Sequence, residues 1–378
     1  MMVTPRKALL VVVALLATFG LARGGHEVPI YPSYYPHEIS IETMPPARAA
    51  ELLEDAKLHA YLGREQLFPG AVPQSVRAIE SLGNFIIVRV NPGDLAQDER
   101  SACDIVEAVV RDMAGREGFI FHPYPVTPFD GDYLYHVDRA EAEKTRLLAE
   151  AASPARQLRV KAVGAAADLV RPEWRAQATD WDAAVEEIGV AALVGGTKSS
   201  LNGWLGPPWL KTGWFHAERL LADAPGDAAM RQRTDGIVHR LETGDYGSPV
   251  ERVNLERELV AALNAGCRKR IAGYTIERQY FSAEFTDGIE NIGFDSIDGL
   301  NSPVFIRTVK LKDFPWNGWL NLGIDVRPTA AWNPIAGFTD RFGQLLWSAI
   351  GDPALLPAPY DSGWMLNRIS DVQSSAGR

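Results

Sequence analysis

Apolar positions along this chain change their period several times, and each change marks an element. Phe85 to Val90 (Phe-Ile-Ile-Val-Arg-Val) is β-branched and almost continuously apolar, as a strand buried on both faces should be. Asn91-Pro-Gly-Asp94 turns the chain, and Ala96 to Ala114 then carries an apolar stripe through Ile105, Val106, Val109, Val110 and Met113. Gly115 and Gly118 bracket the return into Phe119-Ile-Phe121, so strand, helix and strand follow within the length of a βαβ unit. If Phe119–Phe121 is a parallel strand, His122 stands just past its carboxyl end, where α/β sheets bind their ligands.

The remaining patterns fill in the chain. Helical stripes run from Ala47 to Leu62, Arg139 to Ala152, Asp182 to Val190, Trp214 to Ala222, Asp227 to Leu241, Val250 to Ala265 and Thr339 to Ile350. Strand patterns cover Gln157–Ala162, Tyr274–Phe285, Val304–Leu311 and Leu320–Val326. The last alternates strictly, the signature of a half-solvated antiparallel strand. The fold class is therefore α+β (or α/β), with an N-terminal βαβ-containing part, a helical middle and an antiparallel β C-terminal part. The expected divisions are a leader over 1–24, a Pro/Tyr-rich extended arm over 25–46, an α/β part over 47–153, a mainly helical part with a Trp-rich loop over 154–266, and a β part with a closing helix over 267–378.

Composition narrows the compartment. Arg6 and Lys7 precede an apolar run from Ala8 to Leu21 that ends in small residues, the layout of a cleaved secretory signal peptide. The run is shorter than a bilayer-spanning helix, and no later run is long and apolar enough to cross a membrane. A periplasmic or secreted protein is expected, and arginine outnumbering lysine 29 to 9 points to a GC-rich bacterial genome. Without the leader 35 basic residues face 48 acidic ones, a balance that argues against nucleic acid as partner. Cys103 and Cys267 are the only cysteines: in an oxidising compartment they form a disulfide or remain two separate buried thiols. With no Cys-x-x-Cys, covalent c-type haem is excluded.

Candidate chemistry concentrates in two stretches. His122 to His136 is a loop of prolines, aromatics and two aspartates, and His26 to His37 in the arm has the same character. His26, His37, His122 and His136 are a possible set for a transition metal such as Cu or Zn, although no tight His-x-His or His-x3-His pair occurs. Tyr124 and Tyr133 in the loop, with Trp204, Trp209 and Trp214 of the Gly203–His216 cluster, are candidate ligand-binding aromatics. Asp130 and Asp132 are the first carboxylates to test for acid–base work, since loop carboxylates at a strand's carboxyl end are placed for ligands.

The leading reading is a non-catalytic one: an exported binding or accessory protein whose small ligand or metal sits at the loop 122–136, beneath the arm. The alternatives are a secreted glycosidase-like hydrolase using paired carboxylates near a Trp-rich cleft, and a subunit of a cell-envelope complex with a protein partner.

Overall fold

The computed structural model describes residues 36–93, 99–149, 157–162, 164–176, 180–195, 208–223, 228–312, 318–328, 340–351, 354–359, 363–367 and 369–371. In chain order its strands are β1 (Glu38–Thr43), β2 (Ala60–Tyr61), β3 (Val76–Val90), β4 (Ile120–Phe121), β5 (Val160–Ala162), β6 (Ala183–Gly189), β7 (Lys269–Ser282), β8 (Ile289–Glu290), β9 (Lys310–Leu311), β10 (Trp319–Ile324), β11 (Leu355–Pro357) and β12 (Trp364–Leu366). The helices are α1 (Pro46–Glu54), α2 (Glu99–Met113), α3 (Val137–Ala149), α4 (Val190–Gly195), α5 (Gly213–Leu221), α6 (Ala228–Thr243), α7 (Pro249–Asn264), α8 (Pro303–Thr308) and α9 (Arg341–Ile350). No described helix is long and apolar enough to cross a membrane.

One mixed sheet organises the molecule, in the order β1-β10-β2-β7-β3-β6-β5, with β4 also paired to β7. β3 and β7 are its spine, antiparallel over most of their length. Alternation along β3 sends Phe85 and Ile87 to one face and Ile86, Val88 and Val90 to the other. The first face is covered by α5, α6 and α7 through Trp214, Phe215, Leu220, Ile237, Leu259 and Leu263. The second is covered by α2 through Ile105, Val106, Val109, Val110 and Met113. Both faces are dry, which is why the strand reads as a continuous apolar run. Each fully buried aliphatic side chain contributes about 1.5–3 kcal/mol.

β3, α2 and β4 form the expected strand–helix–strand unit, with one difference. β7 lies between the two strands, antiparallel to both, so β3 and β4 share a direction without touching. The unit is a split crossover. Gly273 makes the docking of β4 possible, since a Cβ there would fall 2.0 Å from the Ile120 carbonyl oxygen. Cys103 on α2 and Cys267 just before β7 are joined in a disulfide, with Cα atoms 4.6 Å apart.

Four expected elements differ. The helix expected over 47–62 ends at Glu54: Lys57 N–H donates to Leu52 O and Ala56 N–H to Leu53 O, a Schellman turn with Ala56 at φ 54°. The rest of that stripe, Ala60 and Tyr61, is instead a strand inside the sheet. Asp182–Val190 is not a helix, because Ala183–Gly189 pairs with β3 on one side and β5 on the other, and this pairing overrides the helix preference of its Ala and Glu residues. Val304–Leu311 is mostly helical. Ser302 caps Phe305 N–H and Pro303 opens the first turn, leaving only Lys310–Leu311 as strand. Leu320–Val326 supplies β10, which lies between β1 and β2 and runs parallel to both, so it is an interior strand and not a half-solvated antiparallel one.

Candidate functional site

The loop that follows β4 folds inward. His122 N–H extends the pairing with β7 by donating to Ala272 O, and its ring is buried against Tyr274 and Tyr133. Nε2 of His122 lies 2.8 Å from Val126 O, and burial holds this imidazole below its ordinary pKa. Tyr124 is buried as well, its hydroxyl 3.2 Å from Nδ1 of His136. Val126 rests on the first turn of α5, where a Cβ on Gly213 would come within 2.3 Å of it. Only glycine fits at that position.

The two aspartates bind the loop to α5 in different ways. Asp130 Oδ2 accepts hydrogen bonds from the N–H and hydroxyl of Thr127, at 2.6 and 2.8 Å. Its Oδ1 sits 2.7 Å from Nδ1 of His216, an ion pair made off the ring N–H axis. Nε2 of His216 faces Leu210 O at 3.0 Å, and a carbonyl only accepts, so this nitrogen carries a hydrogen. Acceptors at both nitrogens favour the imidazolium: burial opposes the charge, and Asp130 more than offsets it, raising the His216 pKa.

Asp132 is a helix cap delivered from a distant segment. Thr212 stands at the N-cap of α5 but its side chain does not cap the helix, and Asp132 accepts instead from Gly213 N–H at 2.6 Å and Trp214 N–H at 3.2 Å. A carboxylate suits the positive end of a helix. Even so, burial and the neighbouring charge of Asp130 push its pKa up to about 6. His136 lies on the other side, Nε2 3.7 Å from Asp132 Oδ2, and burial with the nearby charges of Arg257 and Arg139 pushes its imidazole down to about 4.

Glu256 on α7 is a further carboxylate, within electrostatic reach of Asp132. It is buried, Oε2 has no hydrogen-bond partner, and Arg252 Nε stands 3.8 Å from Oε1. Burial and the charge of Asp132 push its carboxyl up to about 7. Neither Glu256 nor His216 is among the residues that the sequence singles out. A signal for Glu256 is nevertheless present, because Glu256, Leu259, Val260 and Leu263 fall at i, i+3, i+4 and i+7, placing the carboxylate on the buried stripe of its own helix. His216 closes the Trp-rich cluster and lies fully buried on α5.

What the loop shows to solvent is apolar. Between Asp132 and α3 a single 3₁₀ turn, Tyr133–Tyr135, leaves Leu134 84% and Tyr135 47% exposed, with Val137 beside them. Arg257 fastens the turn from α7 by contacting Tyr135 O and pairing with Asp138 at 2.7 Å.

The sequence-derived candidates separate accordingly. His122 and His136 are in one loop, but His37 is exposed at the start of β1 and His26 lies outside the described residues. Among the described residues no three His, Cys, Asp or Glu side chains assemble as a metal set. Asp130 and Asp132 do come together, buried and turned onto protein donors instead of lining an open cleft. Trp204 and the Trp209 side chain lie outside the described residues. Trp214 is not on an exposed loop: it sits in the first turn of α5, buried and edge-on to Phe215, because its helix packs on the sheet.

No family model and no curated protein matches the sequence. Solved structures share weak likeness. The oligopeptide-binding protein OppA is 9% identical with a TM-score of 0.38, covering 65% of this chain and 52% of its own. Lactococcal OppA complexed with an endogenous peptide is 10% identical with a TM-score of 0.38, covering 68% of this chain and 57% of its own. NikA from Staphylococcus aureus in complex with Ni(L-His)2 is 10% identical with a TM-score of 0.31, covering 68% of this chain and 54% of its own. The chain thus spans a little over half the length of the structures it matches, and likeness of this degree carries neither family nor ligand across.

Proposed function

We propose that this chain is an exported, non-catalytic binding or accessory protein whose contact surface is the apolar turn 133–137. The observation that supports this reading best is the orientation of the loop. Its aspartates and histidines meet protein groups in the interior, while Leu134 and Tyr135 face water at the point where the chain emerges. An apolar turn held rigidly from below suits recognition better than proton transfer, because a general acid or base must reach its substrate. The disulfide between α2 and the start of β7 supports an oxidising compartment. Against the hydrolase alternative speaks the burial of Asp130 and Asp132, and among the described residues no three His, Cys, Asp or Glu side chains converge as a metal set.

The test compares wild type with Leu134→Asp, purified untagged. Native pull-down from an envelope extract and size-exclusion of the eluate should show an associated species that Leu134→Asp loses at unchanged melting temperature. An association that survives Leu134→Asp would place the contact elsewhere. Hydrolysis of a glycoside panel that Asp130→Asn or Asp132→Asn abolishes, with the fold intact, would restore the enzyme reading.

A further inference from the structure

The two edges of the main sheet are finished differently. At one end β5 is short and is closed off by the segment at Arg175: Val160 pairs with Arg175, and its carbonyl accepts from Ala176 N–H at 2.9 Å. At the other end β1 keeps an unbroken register with β10 along its whole length, with no proline and no bulge. Glu38 and Met44 donate to Gly318 O and Ile324 O, so the even-numbered residues bond to β10. Strand alternation then turns the N–H and C=O of Ile39, Ile41 and Thr43 outward, and among the described residues none of these groups has a partner. Proteins usually blunt such an edge, because unpaired backbone recruits another strand.

The side chains of β1 give this edge a sign. Glu38, Ser40 and Glu42 stand exposed on one face, while Ile39 and Ile41 turn to the other, onto the apolar group around Leu320, Leu322 and Phe342. Among the described residues neither glutamate has a cation at ion-pair distance: Arg48 and Lys57, which follow β1 in the chain, are paired with Glu51 and Asp55, both at 2.9 Å. Beside Glu38, on the same face of β10, Trp319 is 64% exposed. A carboxylate next to an open indole suits an ammonium or guanidinium group. A second copy of β1 does not suit it, since both copies' glutamates would line one face of the seam without a cation. We propose that β1 is a docking edge for an extended basic segment of a partner protein, added as one more strand beside residues 38–43. Lys or Arg of the segment lies over Glu38 and Glu42, and its apolar side chains extend the face of Ile39 and Ile41. Main-chain bonds to Ile39, Ile41 and Thr43 hold the segment, and the two glutamates select it. This contact goes beyond the turn 133–137 and does not depend on it.

Hydrogen exchange on the full, oxidised chain tests the edge with two end-blocked peptides, Lys-Val-Lys-Val-Lys-Val and Glu-Val-Glu-Val-Glu-Val. In the free chain the amides of Ile39, Ile41 and Thr43 should exchange about tenfold or more faster than those of Ser40 and Glu42, which bond to β10. At about ten times its Kd the lysine peptide should slow the three outward amides about tenfold, and the glutamate peptide should leave them unchanged. Glu38→Lys combined with Glu42→Lys should reverse this preference, weakening the lysine peptide about tenfold and admitting the glutamate peptide. Slow exchange of the three amides in the free chain, which means an edge already covered, overturns the proposal. So does a lysine peptide that slows none of them, or slows them no more than the glutamate peptide does. Should the double variant not fold, the two peptides on wild type decide. Leu134→Asp alters the turn and leaves β1 intact, so each contact reading can fail alone.

Discussion

Glu256→Gln isolates the electrostatic cost of the buried cluster, because the amide keeps the shape of the protonated carboxyl and removes only its ability to ionise. Burial and the charge of Asp132 hold this carboxyl near 7 against an ordinary value of 4.5. An acid whose pKa is raised by folding favours the protonated native state, so its contribution is fully present below pH 4.5 and is lost as pH rises through about 7. At about 1.4 kcal/mol per pKa unit the full shift is worth roughly 3 kcal/mol, an upper bound. Relaxation of the charged form and water penetration reduce the expected gain to about 1–2 kcal/mol at pH 8.5. At pH 4 the variant should match wild type to within about 0.5 kcal/mol, since the carboxyl is then mostly protonated in the folded and the unfolded chain alike. Urea midpoints of the oxidised chain at the two pH values measure both quantities. His216 acts with the same sign in both proteins: its raised pKa gives stability below 6.5 that is lost as pH rises through the folded value. His136 acts with the opposite sign, its stability present above 6.5 and lost as pH falls to about 4. A Glu256→Gln variant that is less stable than wild type at pH 8.5, or that gains equally at both pH values, refutes the electrostatic origin of the effect.

Three further substitutions probe the frame around the cluster. Gly213→Ala puts a methyl 2.3 Å from Val126 Cγ1, so in spite of the better helix propensity it should lose about 1–3 kcal/mol by overpacking; Val126→Ala in the same chain should recover part of the loss in thermal melts. Cys103→Ser with Cys267→Ser releases a link across 164 residues and should lower stability by about 3–5 kcal/mol, read as a shift in urea midpoint that reduction of wild type reproduces. Ala56→Gly relieves a left-handed residue at the end of α1 and should raise stability by about 0.5–1 kcal/mol, provided the melting temperature is compared at fixed pH; a loss would contradict the Schellman assignment.

How far the pattern of residues reached depends on what each element packs against. α2, α5, α6, α7 and α9 are all visible as stripes because each buries one side; of β3 only Phe85–Val90, buried on both faces, is visible, while Val76–Asn84 with its exposed Arg77 and Glu80 is not, and β7 is visible from Tyr274 onward. The misreadings share a cause. The sequence 182–190 is rich in alanine and glutamate and prefers a helix by itself, and only its two strand neighbours, β3 and β5, make it extended. Ala60 and Tyr61 continue a helical stripe in the sequence, yet a strand from residue 319 onward and another from residue 269 onward recruit them into the sheet.

Distant segments decide the loop 122–136 in the same way. Its aspartates, histidines and prolines mark it as the most unusual polar stretch of the chain, and the structure does concentrate its buried polar contacts there. Whether such a loop faces a ligand or the interior is decided by its cover, and here the cover consists of α5 and α7, which arrive more than 80 residues later. Once they do, the loop's polar groups turn onto protein partners. Asp132 caps a helix, Asp130 pairs with His216, and the Tyr124 hydroxyl meets His136 Nδ1, while His136 Nε2 has no hydrogen bond. Leaving any one of them unpartnered in that interior would cost about 1–3 kcal/mol. The residue types that suggested a reactive site are thus the ones required to pass a proline-rich loop through a dry core. The exposed face of the loop is then Leu134 and Tyr135, which no search for reactive groups would have selected.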